Sequence, residues 1–447
     1  MQYVYIFLGG TFNPVAPHLA LAAPAFGKVG VDIFELFLER IEENTEGSYS
    51  HLTPVLLPTS MAIGEVYERL GERYLHASAN VFSEVGLTSM RTNEDVAKVV
   101  DFLIQQTSTR CIIMSSALCD FEASKIGNID IPSGHVYYKR LESKHNWTIE
   151  LSATEKIIDR IRKKRKDIFL VSFKATYNEP ETLYAKALSQ LKRTSSNLVF
   201  ANDVGVKVNM VVTPEEYPYS YESRIAACYS LVDMTLMRLN LQFFRTIMRQ
   251  GEEKADLKKL ESKKSIPDNF IPVLSYLISQ NAYKEFMDKT TGHFGCIVEG
   301  EDFHRISSVR KANHNRVLDE GVSKIYVNSG AIEAGGAKPS VGEHTQQQIY
   351  EHLKGKVHSI VHFHCPLKNA DNFHAVRNQF FYECGSYECG TNTIKGLVEF
   401  EPGIWAVHLQ QHGPNIAFHK DVDSNKIISF IEKFWDLSKK EGGLVHM

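Results

Sequence analysis

The chain of 447 residues lacks the features that mark several classes of protein. It has no run of about 18 apolar residues, so we expect no transmembrane helix and no membrane partner. Its net charge is only −3 at pH 7, which gives no electrostatic argument for binding nucleic acid. It also has no low-complexity tract and no detectable repeat. Nucleic acids and membranes are therefore not expected as partners.

The cysteines are few and unpaired in sequence. There are seven, an odd number, and none forms a Cys-x-x-Cys pair. In a chain of this length they indicate reduced thiols in a cytosolic protein. The first ten residues, MQYVYIFLGG, lack a basic segment and a small-residue cleavage site, so they predict a strand and not a signal peptide. We therefore expect a cytoplasmic protein.

The first half of the chain alternates short apolar runs with helical patterns. This alternation predicts an α/β domain with a doubly wound parallel sheet. Ligands of such sheets lie at the carboxyl ends of the strands, which places residues 9–11, 115–120, 173–176 and 202–203 around one crevice. The Gly-Gly pair at the end of the first strand is typical of a phosphate loop, but also of a plain tight turn.

The pattern changes after residue 214. Residues 217–250 predict one long helix, apolar over much of its circumference, and a charged run follows it. From residue 290 the sequence becomes rich in strands, which predicts an α+β layered domain. We expect a first, α/β domain at 1–214, a helical linker region at 215–267 and a second domain at 268–447.

The second domain contains a candidate metal site. Residues 359–364, SIVHFH, predict a buried strand, and positions i and i+2 of a strand face the same side. His362 and His364 therefore point into one space, to which His412 can add a third imidazole and Glu343 a carboxylate. Three neutral histidines beside a carboxylate describe a catalytic metal centre. The alternative is chance pairing of packed residues, because the chain contains 18 histidines.

The segment GGAKPSVGEHTQQQIYEHLKGKVHSIVHFHCPL, followed by QQHG, resembles the class II aldolase/adducin family over about 290–440. The resemblance implies a zinc-dependent (or other divalent metal) lyase, epimerase or dehydratase. Its substrate would be a small anionic carbonyl compound or sugar derivative. It assigns the metal to His362, His364 and His412, and acid/base catalysis to Glu343. The family's Lys-Pro-Ser-Ser-Glu element has an extra residue here, as KPSVGE.

The loops that hold phosphate in that family are altered in this sequence. Its Gly-Asn loop falls on residues 291–295 and its Thr-Pro-Ser-Gly loop on residues 307–310. Arg310 and Lys311 can hold an anionic substrate group, or they can be ordinary surface charges. The expected substrate-binding residues are Ser340, Ser307, Ser308 and Arg310.

The first domain resembles phosphopantothenoylcysteine synthetase, the C-terminal domain of the coenzyme A flavoprotein, over about 1–212. The resemblance rests on GGTFNPVAPHLALAAPAFGKVG, SSALCDFEASK, LVSFKAT and NLVFANDV, in that order. It implies a Rossmann-like fold, a nucleoside triphosphate (CTP or ATP) and a place in coenzyme A biosynthesis. The implied nucleotide-binding residues are Gly9, Gly10, Thr11, Gly27, Lys28, Asp120, Asn202 and Asp203.

Two departures bear on ligase activity. The family's Arg-x-x-x-Asn falls on Leu19 and Ala23, and its lysine run falls near residues 130–133, which contain no lysine. The leading hypothesis is therefore a metal-dependent enzyme of the aldolase type fused to a nucleotide-binding domain. The alternatives are a phosphopantothenate–cysteine ligase with an appended domain, or a regulatory binding protein without catalysis. Both resemblances imply a homo-oligomer.

Overall fold

The computed structural model describes residues 1–44, 47–328 and 331–443. They form two compact units. The first contains Met1–Thr213 and Tyr219–Leu239, and the second contains Pro214–Pro218 and the chain from Asn240 onwards. The linker region predicted at 215–267 is therefore not a separate element, because its residues are divided between the two units. No helix in the described part of the chain is both long and apolar enough to cross a bilayer.

The first unit contains twelve strands and seven helices among its described residues. The strands are β1 (Gln2–Leu8), β2 (Phe12–Ala16), β3 (Leu19–Ala22), β4 (Leu52–Pro58), β5 (Thr109–Met114), β6 (Phe121–Ile126), β7 (Ile129–Asp130), β8 (Ile149–Ala153), β9 (Phe169–Thr176), β10 (Leu198–Asp203), β11 (Asn209–Val212) and β12 (Pro218–Tyr221). The helices are α1 (Lys28–Glu43), α2 (Ile63–Leu70), α3 (Arg73–Glu84), α4 (Asn93–Leu103), α5 (Ile158–Lys164), α6 (Pro180–Thr194) and α7 (Arg224–Leu239).

A seven-stranded sheet in the order β12-β11-β10-β9-β5-β1-β4 forms the centre of this unit. Strands β4, β1, β5, β9 and β10 are parallel, and β11 is antiparallel to β10. Tyr5 and Phe7 pack against α4, whereas Leu8, on the opposite face, lies against Gly30 of α1. Both faces of β1 are thus buried, as its continuous apolar sequence requires. The predicted α/β class with a parallel sheet is confirmed.

The helix predicted over 217–250 is shorter than expected. It is α7, Arg224–Leu239, and residues Thr246–Met248 form a strand instead, paired in parallel with residues 332–334. The β-branched Thr246 and Ile247 favour a strand. Hydrogen bonding to residues 332–334 therefore outweighs the helical spacing of the apolar residues in this segment.

Asp203, at the end of β10, holds the loop that leads into α6. Its buried carboxylate accepts hydrogen bonds from Thr176 Oγ1 (2.7 Å) and from the backbone N–H groups of Asn178 (3.1 Å), Glu179 (2.8 Å) and Val206 (2.9 Å). Burial by itself raises the pKa of Asp203, but the four hydrogen bonds lower it by more, so that the net result is a pKa of about 2. The carboxylate therefore stabilises the fold in its charged form.

We expect Asp203→Asn to lower the free energy of unfolding at pH 7, because an amide cannot accept from all four donors. The folded-state pKa lies below the ordinary value of 3.8, so the stabilisation is present above that pH and is lost as the pH falls towards about 2. Denaturant titrations at pH 7 and pH 3 should show a smaller difference between wild type and variant at pH 3. Asp120→Asn is the control, because the exposed Asp120 pairs only with Lys156. A difference that does not depend on pH would contradict this account.

The second unit contains twelve strands and six helices among its described residues. The strands are β13 (Thr246–Met248), β14 (Glu285–Phe286), β15 (Lys289–Thr290), β16 (His293–Ile297), β17 (Arg305–Ser307), β18 (Ser323–Asn328), β19 (Ala331–Gly335), β20 (Ser359–His362), β21 (Val376–Arg377), β22 (Val398–Glu401), β23 (Ile404–Leu409) and β24 (Gly413–Phe418). The helices are α8 (Leu257–Ser262), α9 (Phe270–Ser279), α10 (Val317–Glu320), α11 (Glu343–His352), α12 (Tyr387–Gly396) and α13 (Ser424–Phe434).

A ten-stranded sheet in the order β13-β19-β18-β17-β16-β20-β24-β23-β21, with β22 beside β23, forms this unit. Most neighbours are antiparallel, and the layered α/β architecture agrees with the prediction. Val361 and Phe363 pack with α9 and α13 in the larger core. Ile360 packs on the opposite face with Ile349 of α11. Because side chains alternate along a strand, His362 of β20 lies on the α11 face.

Candidate metal centre

Three histidine side chains converge at the end of β20. One ligand atom from each of His362, His364 and His412 lies within 4.8 Å of the others, and all three residues are buried. Their ring centroids are 5.0 Å (His362 and His364), 4.5 Å (His362 and His412) and 4.7 Å (His364 and His412) apart. Phe363 points the other way and packs on Trp435. The structure thus brings together the three ligands predicted from the sequence.

His412 reaches this cluster from the tight turn between β23 and β24. The turn depends on Gly413, which has φ +125° and lies so close to Phe363 O that a Cβ would come within 3.0 Å of it. Only glycine tolerates both conditions. Gly413 therefore allows β24 to approach the segment that carries His362, the last residue of β20, and His364 just beyond it.

The imidazoles are held in the form that binds metal. Nδ1 of His362 donates to Pro414 O at 2.7 Å, which leaves the lone pair on Nε2. Burial lowers the pKa of His362 to about 4, although the hydrogen bond to Pro414 raises it. Burial also lowers the pKa of His364 well below its usual range. Both rings are therefore neutral at pH 7, as metal ligation requires.

The separation of the nitrogen atoms fits a metal ion. Nε2 of His362 and Nε2 of His412 are 3.3 Å apart. Two nitrogens that bind one tetrahedral zinc ion at 2.0–2.1 Å must be about 3.3 Å apart. Nδ1 of His364 is buried and has no hydrogen-bond partner among the described residues. A divalent metal would bind the two Nε2 atoms and one nitrogen of the His364 ring, so the residues present fit zinc.

Glu343 is the predicted acid/base, but its carboxylate is not part of the cluster. It lies at the start of α11, fully buried, and its Oε1 accepts a hydrogen bond of 2.7 Å from Arg305. Arg305 in turn lies over the Tyr350 ring, 5.1 Å from its centroid. Burial raises the pKa of Glu343, and Arg305 partly offsets this rise. The sequence did not reveal Arg305, because nothing in its local pattern distinguishes it from a surface arginine.

The segments predicted to bind the substrate lie side by side. Ser340 N donates to Ser308 O at 2.7 Å, and Arg310 N donates to Lys338 O at 2.9 Å. The Ser308 hydroxyl is buried without a hydrogen-bond partner among the described residues. Ser307 is buried, Ser340 is half-buried and Arg310 is exposed. The Arg310 guanidinium forms no ion pair within the described chain, so it can receive an anion.

In the first unit, the three glycines of the predicted nucleotide site are closely surrounded by the protein itself. A Cβ at Gly9 would come within 3.0 Å of Thr59 and Ala62, one at Gly10 of Ala23, and one at Gly27 of Ala62. These glycines are therefore required by packing, whether or not a nucleotide binds. Lys28 follows them as the exposed first residue of α1.

The structure joins Thr11 to the segment after β5. Thr11 N donates to Ala117 O at 3.1 Å, and Cys119 N donates to Thr11 Oγ1 at 2.9 Å. Asn93, the first residue of α4, accepts a hydrogen bond from Thr11 Oγ1 (2.6 Å) and donates one to Cys119 O (2.7 Å), whereas Thr92 caps the helix. The sequence pattern could not assign this role to Asn93, because its partners are distant in the chain.

The remaining predicted positions of this unit lie near the carboxyl ends of their strands. Asp120 is exposed and pairs with Lys156. Asn202 is half-buried near the end of β10, next to Asp203, whose carboxylate is occupied by the fold. Hydrogen bonds hold together the residues around Thr11 and, separately, the residues around Asp203. Both sets lie at the edge of the sheet where the parallel strands β1 and β10 end.

Comparison with known proteins covers the first unit best. The family model of the DNA/pantothenate metabolism flavoprotein C-terminal domain matches residues 72–217. The coenzyme A biosynthesis bifunctional protein CoaBC of Thermococcus kodakarensis is 29% identical over 127 residues. This match spans 28% of the present chain and 29% of the relative, less than a third of its length. The resemblance predicted for the first domain is confirmed over 72–217, a range that includes Asp120 and Asn202 but not Gly9 or Lys28.

The solved structures that are similar to this chain include a flavoprotein related to the predicted family of the first unit and an aldolase related to that of the second. The DNA/pantothenate metabolism flavoprotein from Streptococcus pneumoniae is 16% identical with a TM-score of 0.39, covering 52% of this chain and 96% of the other. The L-fuculose-1-phosphate aldolase from Thermus thermophilus is 12% identical with a TM-score of 0.25, covering 38% of this chain and 92% of the other. At these scores neither likeness carries an argument about function.

The buried ion pair between Arg305 and Glu343 gives a test of the site. We expect Arg305→Met to lower the free energy of unfolding by about 3–5 kcal/mol near neutral pH, because it leaves a buried carboxylate without its partner. Loss of the guanidinium raises the pKa of Glu343 further. A raised folded-state pKa means that the protonated form is favoured, so the loss should be larger at pH 8 than at pH 5.

Urea titrations at the two pH values measure this loss. Arg305→Lys, which keeps the charge, should lose less stability. Equal losses at both pH values would show that Arg305 acts by packing alone.

Proposed function

We propose that the second unit is a metal-dependent enzyme of the class II aldolase type, acting as a lyase, epimerase or dehydratase on a small anionic carbonyl compound or sugar derivative. The first unit would be a nucleotide-binding domain of the phosphopantothenoylcysteine synthetase type. The proposal for the second unit depends above all on the three buried imidazoles with ligand atoms within 4.8 Å of one another.

The residues around the cluster supply the remaining requirements of such chemistry. A divalent metal held by His362, His364 and His412 would polarise a substrate carbonyl or enediolate oxygen. Glu343 moves a proton in this proposal, and its raised pKa brings the carboxyl closer to neutral pH, where an acid/base works best. Arg305 fixes the orientation of that carboxyl through Oε1. Glu343 is next in sequence to Gly342. Gly342 lies against the His293 ring, and that ring stacks on His362.

The substrate's anionic group is assigned to Ser308, Ser340 and Arg310. Arg310 has no carboxylate partner among the described residues, and the buried Ser308 hydroxyl has no hydrogen-bond partner there. Both are free to bind an oxyanion, whether carboxylate or phosphate. Ser307 instead lies close enough to Glu343 to lower its pKa, which favours a role in holding that side chain.

The metal site is tested by composition. Purified wild-type protein, given Zn²⁺ and then freed of excess, should retain about one ion per chain by mass spectrometry of the metal. We expect His362→Ala to lose most of it, because the remaining two imidazoles cannot complete the site. His419→Ala is the matched control, since this histidine belongs to the same unit but not to the cluster. A wild-type protein that retains no stoichiometric metal would disprove the proposed metal site.

A second function, ligation of phosphopantothenate to cysteine, is favoured by the family match at 72–217 and by the CoaBC relative. The name of that relative places it in coenzyme A biosynthesis, and a nucleoside triphosphate (CTP or ATP) would activate the acid in this second function. Leu19 and Ala23 stand against this function, because neither side chain can make the polar contacts of an arginine and an asparagine. If ligation is lost, the first unit keeps the synthetase-type fold and acts as a binding domain without catalysis.

Pyrophosphate release distinguishes these two roles of the first unit. We expect no pyrophosphate above background when the protein is given CTP or ATP with phosphopantothenate and cysteine. Ligand binding without turnover should appear as a rise in melting temperature with nucleotide alone. Pyrophosphate and a phosphopantothenoylcysteine product, detected by mass spectrometry, would establish the ligase function instead. Asp120→Asn changes a predicted nucleotide-binding residue. It should reduce whichever signal the wild type gives, either the rise in melting temperature or the release of pyrophosphate.

A further inference from the structure

His293 is a buried histidine beside the metal cluster but not part of it. It is the direct neighbour of His362 across the β16–β20 pair. The two rings are stacked, with centroids 4.6 Å apart and planes at 29°. Its ligand atoms are not in the group formed by His362, His364 and His412. His293 therefore contacts a face of the metal ligand without competing for the metal.

The His293 ring is itself fixed from the helix above it. Gln346 of α11 makes a hydrogen bond of 2.7 Å with Nδ1 of His293. The backbone of His293 is held by strand pairing on β16. The ring thus has little freedom to turn away from His362, since its edge is tied to α11 and its face is covered by the neighbouring imidazole.

Gly342, one residue before α11, leaves the space that this ring occupies. A Cβ at Gly342 would come closer than 3.0 Å to Cδ2, Nε2 and Cγ of His293. Such a contact is impossible without movement, and the ring is not the free end of a flexible side chain. Any side chain at position 342 would therefore push the His293 ring towards His362 or break its bond to Gln346.

We propose that His293 is a positioning residue for the metal ligand His362, and that Gly342 is the residue that makes this arrangement possible. The inference rests on the metal site proposed above. The hydrogen bond from His362 Nδ1 to Pro414 O fixes one edge of that ring but permits rotation about the bond. The stacked His293 ring removes this rotation and directs the Nε2 lone pair at the metal. Such supporting contacts commonly determine metal affinity.

A double-mutant cycle tests the proposal with metal affinity as its readout. Apo protein is titrated with Co²⁺, and the visible absorption bands report both the affinity and the coordination geometry. We expect Gly342→Ala to weaken binding by about 10- to 100-fold and to change the spectrum. In a His293→Ala background, the same Gly342→Ala change should alter affinity by less than about twofold, because the clash is gone.

The matched control is Gly390→Ala in α12. A Cβ there would crowd the Gln348 side chain to a similar degree, and its three nearest atoms all belong to Gln348 and not to a histidine. It should bind Co²⁺ as tightly as wild type, and circular dichroism should show that all variants are folded.

Two results would overturn the inference alone. One is unchanged affinity and spectrum in Gly342→Ala, and the other is an equal loss in both backgrounds. A wild-type chain that binds no Co²⁺ or Zn²⁺ stoichiometrically would overturn the proposed function, and this inference with it. The wild-type titration therefore separates failure of the proposed function from failure of the positioning role.

Discussion

The structure of the second unit depends on the burial of three imidazoles that face one another. Two Nε2 atoms only 3.3 Å apart repel each other when both carry lone pairs, unless a proton or a cation lies between them. Nδ1 of His364 is buried without a hydrogen-bond partner among the described residues, which costs about 1–3 kcal/mol. The sheet nevertheless brings these groups together, with β20 between β16 and β24. A fold that accepts this cost is typical of a site completed by a ligand.

A second polar layer supports the first from the α11 side of the sheet. Glu343 is bound by Arg305, and Arg305 is covered by Tyr350. Gln346 of the same helix holds His293. One face of α11 therefore carries both the candidate acid/base and the residue that holds the neighbour of a candidate metal ligand. Because these side chains are spaced at three and four residues, the helix geometry fixes their separation.

The first unit shows how a motif can survive for structural reasons. Gly9, Gly10 and Gly27 lie where the protein's own atoms leave no room for a Cβ. Asp203 is likewise engaged by four donors, which come from the end of β9, the loop before α6 and the turn after β10. These residues are therefore fixed by the packing and hydrogen bonds of this unit, whether or not a nucleotide binds. Among the eight predicted nucleotide-binding residues, all of which the structure describes, Lys28, Asp120 and Asn202 have side chains whose contacts leave a ligand role open.

The sequence by itself determined the α/β class, the parallel sheet and the meeting of His362 with His364, because strand periodicity and apolar runs are local properties. It also indicated His412 through the order of the motifs. Only the tertiary structure decided that Glu343 binds Arg305, that residues 246–248 form a strand, and that Gly342 admits the His293 ring. These depend on residues distant in sequence, whose packing and hydrogen bonds outweigh local propensity.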